Sequence, residues 1–105
     1  MPRGLAKVLA RIRALAAQNK VRFTLKALRE LAALGLDARD ARETLEALKT
    51  ADFVKRLVSA PTGERMYLFK PRLTETAIYL KLVLRDECVV VSFHEDENGN
   101  DEESA

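Results

Sequence analysis

The residues of this 105-residue chain best equipped for chemistry are lysines, arginines and tyrosines in its C-terminal half. Among them are Lys55, Arg65, Tyr67, Lys70, Arg72, Tyr79, Lys81 and Arg85. Arginine offers a phosphate a planar fork, and lysine offers it a point charge. The clearest grouping lies between Ala77 and Arg85. Ile78, Leu80, Leu82 and Leu84 point one way, whereas Ala77, Tyr79, Lys81, Val83 and Arg85 point the other. That is the period of a half-buried strand. The aliphatic face must cover a core. A second face carrying a Tyr, a Lys and an Arg exceeds what solubility requires, so function is sought there. Taken singly, each residue has an ordinary reading. Tyr79 is a good strand former, Lys55 discourages edge pairing, and Lys81 and Arg85 are solvated.

Other chemistries lack their residues. One His, one Cys and no HExxH motif make a zinc site improbable. There is no Gly-rich phosphate loop. A Ser-His-Asp or Cys-His unit would need His94, which reads as a surface residue beside an acidic tail. Cys88 sits in an apolar run and reads as a buried, inert thiol. A single Cys excludes an internal disulfide and fits a reducing cytoplasm. No apolar run is long enough to span a membrane. The N-terminal stretch reads as an ordinary first helix rather than a secretory signal or an organellar transit peptide.

Net charge is +2, but it is unevenly spread. Residues 1–93 hold all 18 basic residues and 10 acidic ones, a net +8. Residues 94–105 hold the remaining 6 acids and no Lys or Arg, a net −6. Up to Arg29 there are 8 basic residues and no acid. A basic body points to a polyanionic partner, against the plainer reading of solvated helix surfaces.

The elements that must position these residues follow from periodicity. Leu5, Val8, Leu9, Ile12, Leu15 and Ala16 predict an amphipathic helix from Arg3 to about Gln18, with Lys7 and Arg11 on its wet side. Val21–Phe23 reads as a short extended link. Thr24 caps a second helix with Leu25, Leu28, Leu31 and Ala32 inward and Gly35 closing it. Asp37 caps a third, with Asp40 in its first turn and Ala41, Leu45 and Leu48 as its inner stripe. After Asp52 the period changes. Phe53–Ser59 and Arg65–Phe69 read as strands around a Pro61-Thr62-Gly63 turn. Thr74–Thr76 is a loop. Ala77–Arg85 and Cys88–Phe93 form a last hairpin across Asp86-Glu87. The expected fold is α+β: three N-terminal helices packed on a small antiparallel sheet in two layers. One domain spans residues 1–94. Residues 95–105 form an acidic tail without large apolar residues, expected to be disordered.

Several segments together resemble a known family. They are VRFT at Val21–Thr24, LGLD at Leu34–Asp37, ADFVK at Ala51–Lys55, FKPRL at Phe69–Leu73, IYLKL at Ile78–Leu82 and VVVSF at Val89–Phe93. In this order and spacing they resemble the MqsR (motility quorum-sensing regulator) toxins of bacterial toxin–antitoxin pairs. The resemblance covers most of the chain apart from the tail. It implies a RelE-like architecture and a cytoplasmic, metal-independent mRNA interferase that needs no cofactor. Such an enzyme cleaves single-stranded mRNA at short GC-containing sites without the ribosome, and a DNA-binding antitoxin neutralises it. Metal-free ribonucleases let the ribose 2′-hydroxyl attack the adjacent phosphate, which requires a base, an acid and cations. The family pattern places a catalytic Lys at Lys55 and a catalytic Tyr at Tyr79. Its Gln position falls on Met66, or on Tyr67 if a turn is one residue shorter, and neither is Gln. Arg65, Tyr67, Lys70, Arg72 and Lys81 are the RNA-binding candidates. Two alternatives stand beside this reading: a ribosome-dependent RelE-like endonuclease, and a non-catalytic nucleic-acid-binding module.

Overall fold

The computed structural model describes residues 4–58 and 61–96. The chain runs α1 (Leu5–Ala17), β1 (Val21–Phe23), α2 (Leu25–Ala33), α3 (Ala38–Glu46), a short 3-10 turn (Thr50–Asp52), β2 (Phe53–Val58), β3 (Arg65–Phe69), β4 (Arg72–Leu73), β5 (Thr76–Leu84) and β6 (Cys88–Glu95). The α+β class is as expected, but two features correct the sequence reading. The sheet is mixed, because β1 pairs parallel to β6 through Val21–Cys88, Arg22–Val89 and Phe23–Val90. The helices are not all N-terminal to the strands, because the presumed link Val21–Phe23 is itself a strand between α1 and α2. Three residues are too few to display a period. The sheet order is β1-β6-β5-β3-β2, with β4 pairing β5 off this path. Thr74-Glu75, expected as loop, closes the tight β4–β5 turn, with Thr74 at a φ of 58°.

The core lies between the helices and one sheet face. Leu9, Ile12, Leu31, Leu45 and Leu48 are buried against Phe69, Leu80, Leu82, Val90 and Phe93. Burial of each such side chain contributes about 2 kcal/mol. Arg13 of α1 donates through Nε to the Leu48 carbonyl at 3.1 Å, tying α1 to the end of α3. Asp37 and Asp40 form a capping box at the start of α3, each carboxylate accepting the other's backbone N–H at 3.0 Å. Gly35 ends α2 at a φ of 73°, and the Leu36 N–H then reaches the Leu31 carbonyl at 2.9 Å. In α2 the buried residues are Ala27 and Leu31. Leu25 and Leu28, expected inward, are 63% and 44% exposed, and Ala32, also expected inward, is exposed too. The cause is the place of α2, which follows β1 along the rim of β6 and turns a narrower stripe inward.

Candidate active site

Strand register sorts the remaining side chains onto the sheet face opposite the core. Lys55, Leu68, Lys81 and Ser92 are successive cross-strand partners on β2, β3, β5 and β6, and so form one row. Leu57, Met66, Val83 and Val89 form the row on one side of it. Tyr79 and His94 form the row on the other side. Strands lie about 4.8 Å apart, so the Lys55 and Lys81 backbones are about 10 Å apart. Two lysine side chains can converge across that gap on one phosphate. The floor between them is dry: Leu68 is 1% and Val83 4% exposed, although neither belongs to the main core. Lysine charge above an apolar floor acts through less water than charge on an open surface does.

Tyr79 and His94 meet because β6 is irregular. From Leu84–Cys88 to Leu82–Val90 the hairpin pairs without interruption, and then the register shifts by one residue between Lys81 and Leu82. Val91 is the extra residue of a β-bulge. Without it, Phe93 would face outward and His94 inward. With it, Phe93 is fully buried. His94 then stacks on Tyr79, with ring centroids 4.8 Å apart and planes 9° from parallel. The bulge is held from outside. The Thr24 N–H donates to the Val90 carbonyl at 3.1 Å, and the Thr24 hydroxyl donates to the Val91 carbonyl at 3.2 Å. The same hydroxyl oxygen accepts the Ala27 N–H at 3.1 Å as the cap of α2.

One turn along α2, two more side chains grip β6. Lys26 Nζ donates to Ser92 Oγ at 2.9 Å and to Glu30 Oε2 at 2.8 Å. Glu30 Oε1 accepts the Phe93 N–H at 2.9 Å. Burial alone would raise the Glu30 carboxyl above its usual range. The hydrogen bonds from Lys26 and the Phe93 N–H, with the charges of Lys26 and His94, bring it below that range. Lys26 therefore adds a cation at the Ser92 end of the lysine row.

The candidate residues divide between locations. Lys55, Tyr79 and Lys81 share the open face. Of the two residues weighed for the Gln position, Met66 lies on that face and Tyr67 on the other. Tyr67 is 7% exposed in the core, with the Arg56 guanidinium 5.9 Å from its ring centroid. Arg65 is exposed opposite Val58 and alternates onto the Tyr67 side. Arg72 pairs with Ala77, two residues before Tyr79, and its guanidinium donates to the Glu75 carbonyl at 2.7 Å. Lys70 is largely buried, its Nζ 3.2 Å from Asp96 Oδ2. That oxygen makes no hydrogen bond of good geometry, so the contact is Coulombic. Arg85 forms a two-pronged bond with Glu64 at 2.5 and 2.9 Å, through which Arg85 holds the Glu64 carboxyl below its usual range. Burial pushes the Cys88 thiol up to about 12, which suits an inert residue. Among the described residues no group of three His, Cys, Asp or Glu side chains is placed to hold a metal ion, and no helix is long and apolar enough to cross a membrane.

The sequence reading took His94 for a surface residue beside the acidic tail and did not consider Lys26; the structure sets them beside Tyr79 and Ser92. A signal for His94 existed. Cys88, Val90 and Phe93 cannot all face one core on an unbroken strand, and a bulge before Phe93 moves His94 to the Tyr79 side. Nothing in the sequence pointed to Lys26, whose place depends on α2 docking beside β6.

Among known families, the one described as motility quorum-sensing regulator, toxin of MqsA, matches residues 6–95. The match runs from the second residue of α1 to the last of β6. A search of curated proteins gave no match.

Proposed function

The chain belongs to the MqsR toxin family, and on that basis we propose that it is a metal-independent, sequence-specific endoribonuclease cleaving single-stranded mRNA. Membership implies an antitoxin partner. With this activity go a DNA-binding antitoxin, a bacterial cytoplasmic setting, a RelE-like architecture and cleavage by 2′-hydroxyl attack. The observation that carries it is the row structure of the open face, where Lys55, Lys81 and Tyr79 stand together over an apolar floor.

The division of labour follows from side-chain chemistry. Lys55 and Lys81 bind the scissile phosphate and stabilise the charge that builds on it in the transition state. Arg72 contacts a phosphate beyond the Tyr79 end, once its hold on the Glu75 carbonyl is exchanged. The Tyr79 phenol donates its proton to the departing 5′-oxygen. Lys70 is engaged by Asp96 and contributes field rather than contact.

The test is expression in a bacterial host of the chain alone, of a Tyr79→Phe version, and of the chain with its neighbouring gene. Growth arrest is expected in the first culture only. Unimpeded growth with the folded, abundant wild-type chain would favour the non-catalytic nucleic-acid-binding reading, to which the lack of a Gln at that family position, whether Met66 or Tyr67, lends support.

A further inference from the structure

Metal-free cleavage by this route needs a base for the ribose 2′-hydroxyl, and none of Lys55, Lys81 or Tyr79 is suited to it. A lysine that binds phosphate must keep its proton, and a phenol serving as the acid starts with its proton on. Among the described residues of the open face, His94 is a further group able to exchange a proton. From the bulge at Val91 and the stack on Tyr79, we propose that His94 Nε2 is the general base of the cleavage reaction. This rests on the ribonuclease reading and adds a residue to its site.

Three observations place the base. His94 is half-buried on the open face, opposite Tyr79 on the neighbouring strand. Its Nδ1 lies 2.9 Å from the Glu95 carbonyl oxygen. A carbonyl oxygen only accepts, so Nδ1 carries the proton of the neutral ring and the lone pair lies on Nε2. The ring is fixed from two sides, by the Tyr79 stack at 4.8 Å and by the bulge that Thr24 pins. The charged and titratable groups facing it are Glu30 and Lys26 from α2, Tyr79 from β5 and its own neighbour Glu95.

The step balances. Nε2 takes the 2′-hydroxyl proton, and the freed electron pair of O2′ forms the O2′–P bond. The P–O5′ bond breaks with its pair moving to O5′, which takes the Tyr79 proton. The products are a 2′,3′-cyclic phosphate and a 5′-hydroxyl. The imidazolium then loses its proton to water and the phenolate regains one, so nothing is oxidised or reduced.

The experiment uses the full chain and a short single-stranded RNA, with the wild-type cut mapped first. That RNA is then made with sulfur in place of the bridging 5′-oxygen at the cut, a leaving group that needs no acid. His94→Gln and His94→Phe are expected to lose on the order of 10²-fold in rate on both RNAs, with unchanged melting curves. His94→Phe keeps a ring on Tyr79 but has no base. Tyr79→Phe is expected to lose similarly on ordinary RNA and to recover on the sulfur substrate. Between pH 5 and 8 the wild-type rate should rise with pH, and that of His94→Gln should not. His94 is the one histidine, so nitrogen-15 NMR reads its tautomer directly, and Nδ1–H is expected. Wild-type rates in either His94 variant, rescue of His94→Gln by the sulfur substrate, or an Nε2–H tautomer would each overturn the assignment. A wild-type chain that cuts neither RNA overturns the nuclease reading, and this assignment with it.

Discussion

Tyr79 and Lys55 occupy different strands, and the register sets a second lysine, Lys81, between them. Tyr79→Phe removes one hydroxyl and Lys55→Ala one exposed charge. Each is expected to slow RNA cleavage on the order of 10²-fold or more while leaving stability within about 0.5 kcal/mol. Gel-based cleavage rates and urea unfolding of the same preparations check both halves. Glu30 makes a prediction of a different kind. Its carboxyl titrates below the ordinary 4.5 in the folded protein. A depressed carboxyl stabilises the fold above its unfolded value, and that contribution is lost as pH falls through the folded value. Glu30→Gln keeps an oxygen for the Phe93 N–H but has no charge. Its urea midpoint should lie below wild type at pH 7, and the gap should close as pH falls below about 4. A gap independent of pH would mean that Glu30 acts through packing alone.

At the scale of elements, Thr24 connects three things: the end of β1, the start of α2 and the bulge of β6. Thr24→Ala loses the cap and the bond to Val91, and is expected to cost about 1–2 kcal/mol in urea unfolding. Cleavage should fall as well, because a freed bulge no longer keeps Tyr79 and His94 on one face. Thr24→Ser keeps the hydroxyl and should restore both. The role of Thr24 as a helix cap was legible from its place before Leu25, but its hold on Val91, 67 residues away in sequence, was not. Elsewhere legibility followed periodicity. Ala41, Leu45 and Leu48 were read as inward and are buried. The alternation from Ala77 placed Tyr79 and Lys81 on one face, as observed. Val21–Phe23 was read as a link because its partner, Cys88–Val90, is distant in sequence and runs parallel. Leu25 and Leu28 were read as inward because helical spacing locates a stripe without locating the layer that it meets.

For the whole molecule, the family match ends at residue 95, close to the point where the charge changes sign. The tail was expected to start at Glu95, and Glu95 is the last residue of β6. Asp96 is anchored beyond it, through its N–H to the Ala77 carbonyl at 2.9 Å and its carboxylate to Lys70. The rest of the tail lies outside the described residues. A chain ending at Asp96 keeps both contacts and loses only residues without large apolar side chains, so it is expected to melt like wild type. One ending at His94 loses the last residue of β6, the Asp96 N–H bond to the Ala77 carbonyl and the Asp96–Lys70 contact, and should melt lower by on the order of 5 °C. Differential scanning fluorimetry distinguishes them. Cleavage by 2′-hydroxyl attack leaves its signature on the RNA ends. Purified wild-type chain is incubated with naked single-stranded RNA in EDTA, without ribosomes, and the fragment termini are identified by mass spectrometry. The expected result is cleavage leaving 2′,3′-cyclic phosphate and 5′-hydroxyl ends. Intact RNA, cutting only after Mg²⁺ or ribosomes are added, or 3′-hydroxyl and 5′-phosphate ends would contradict it.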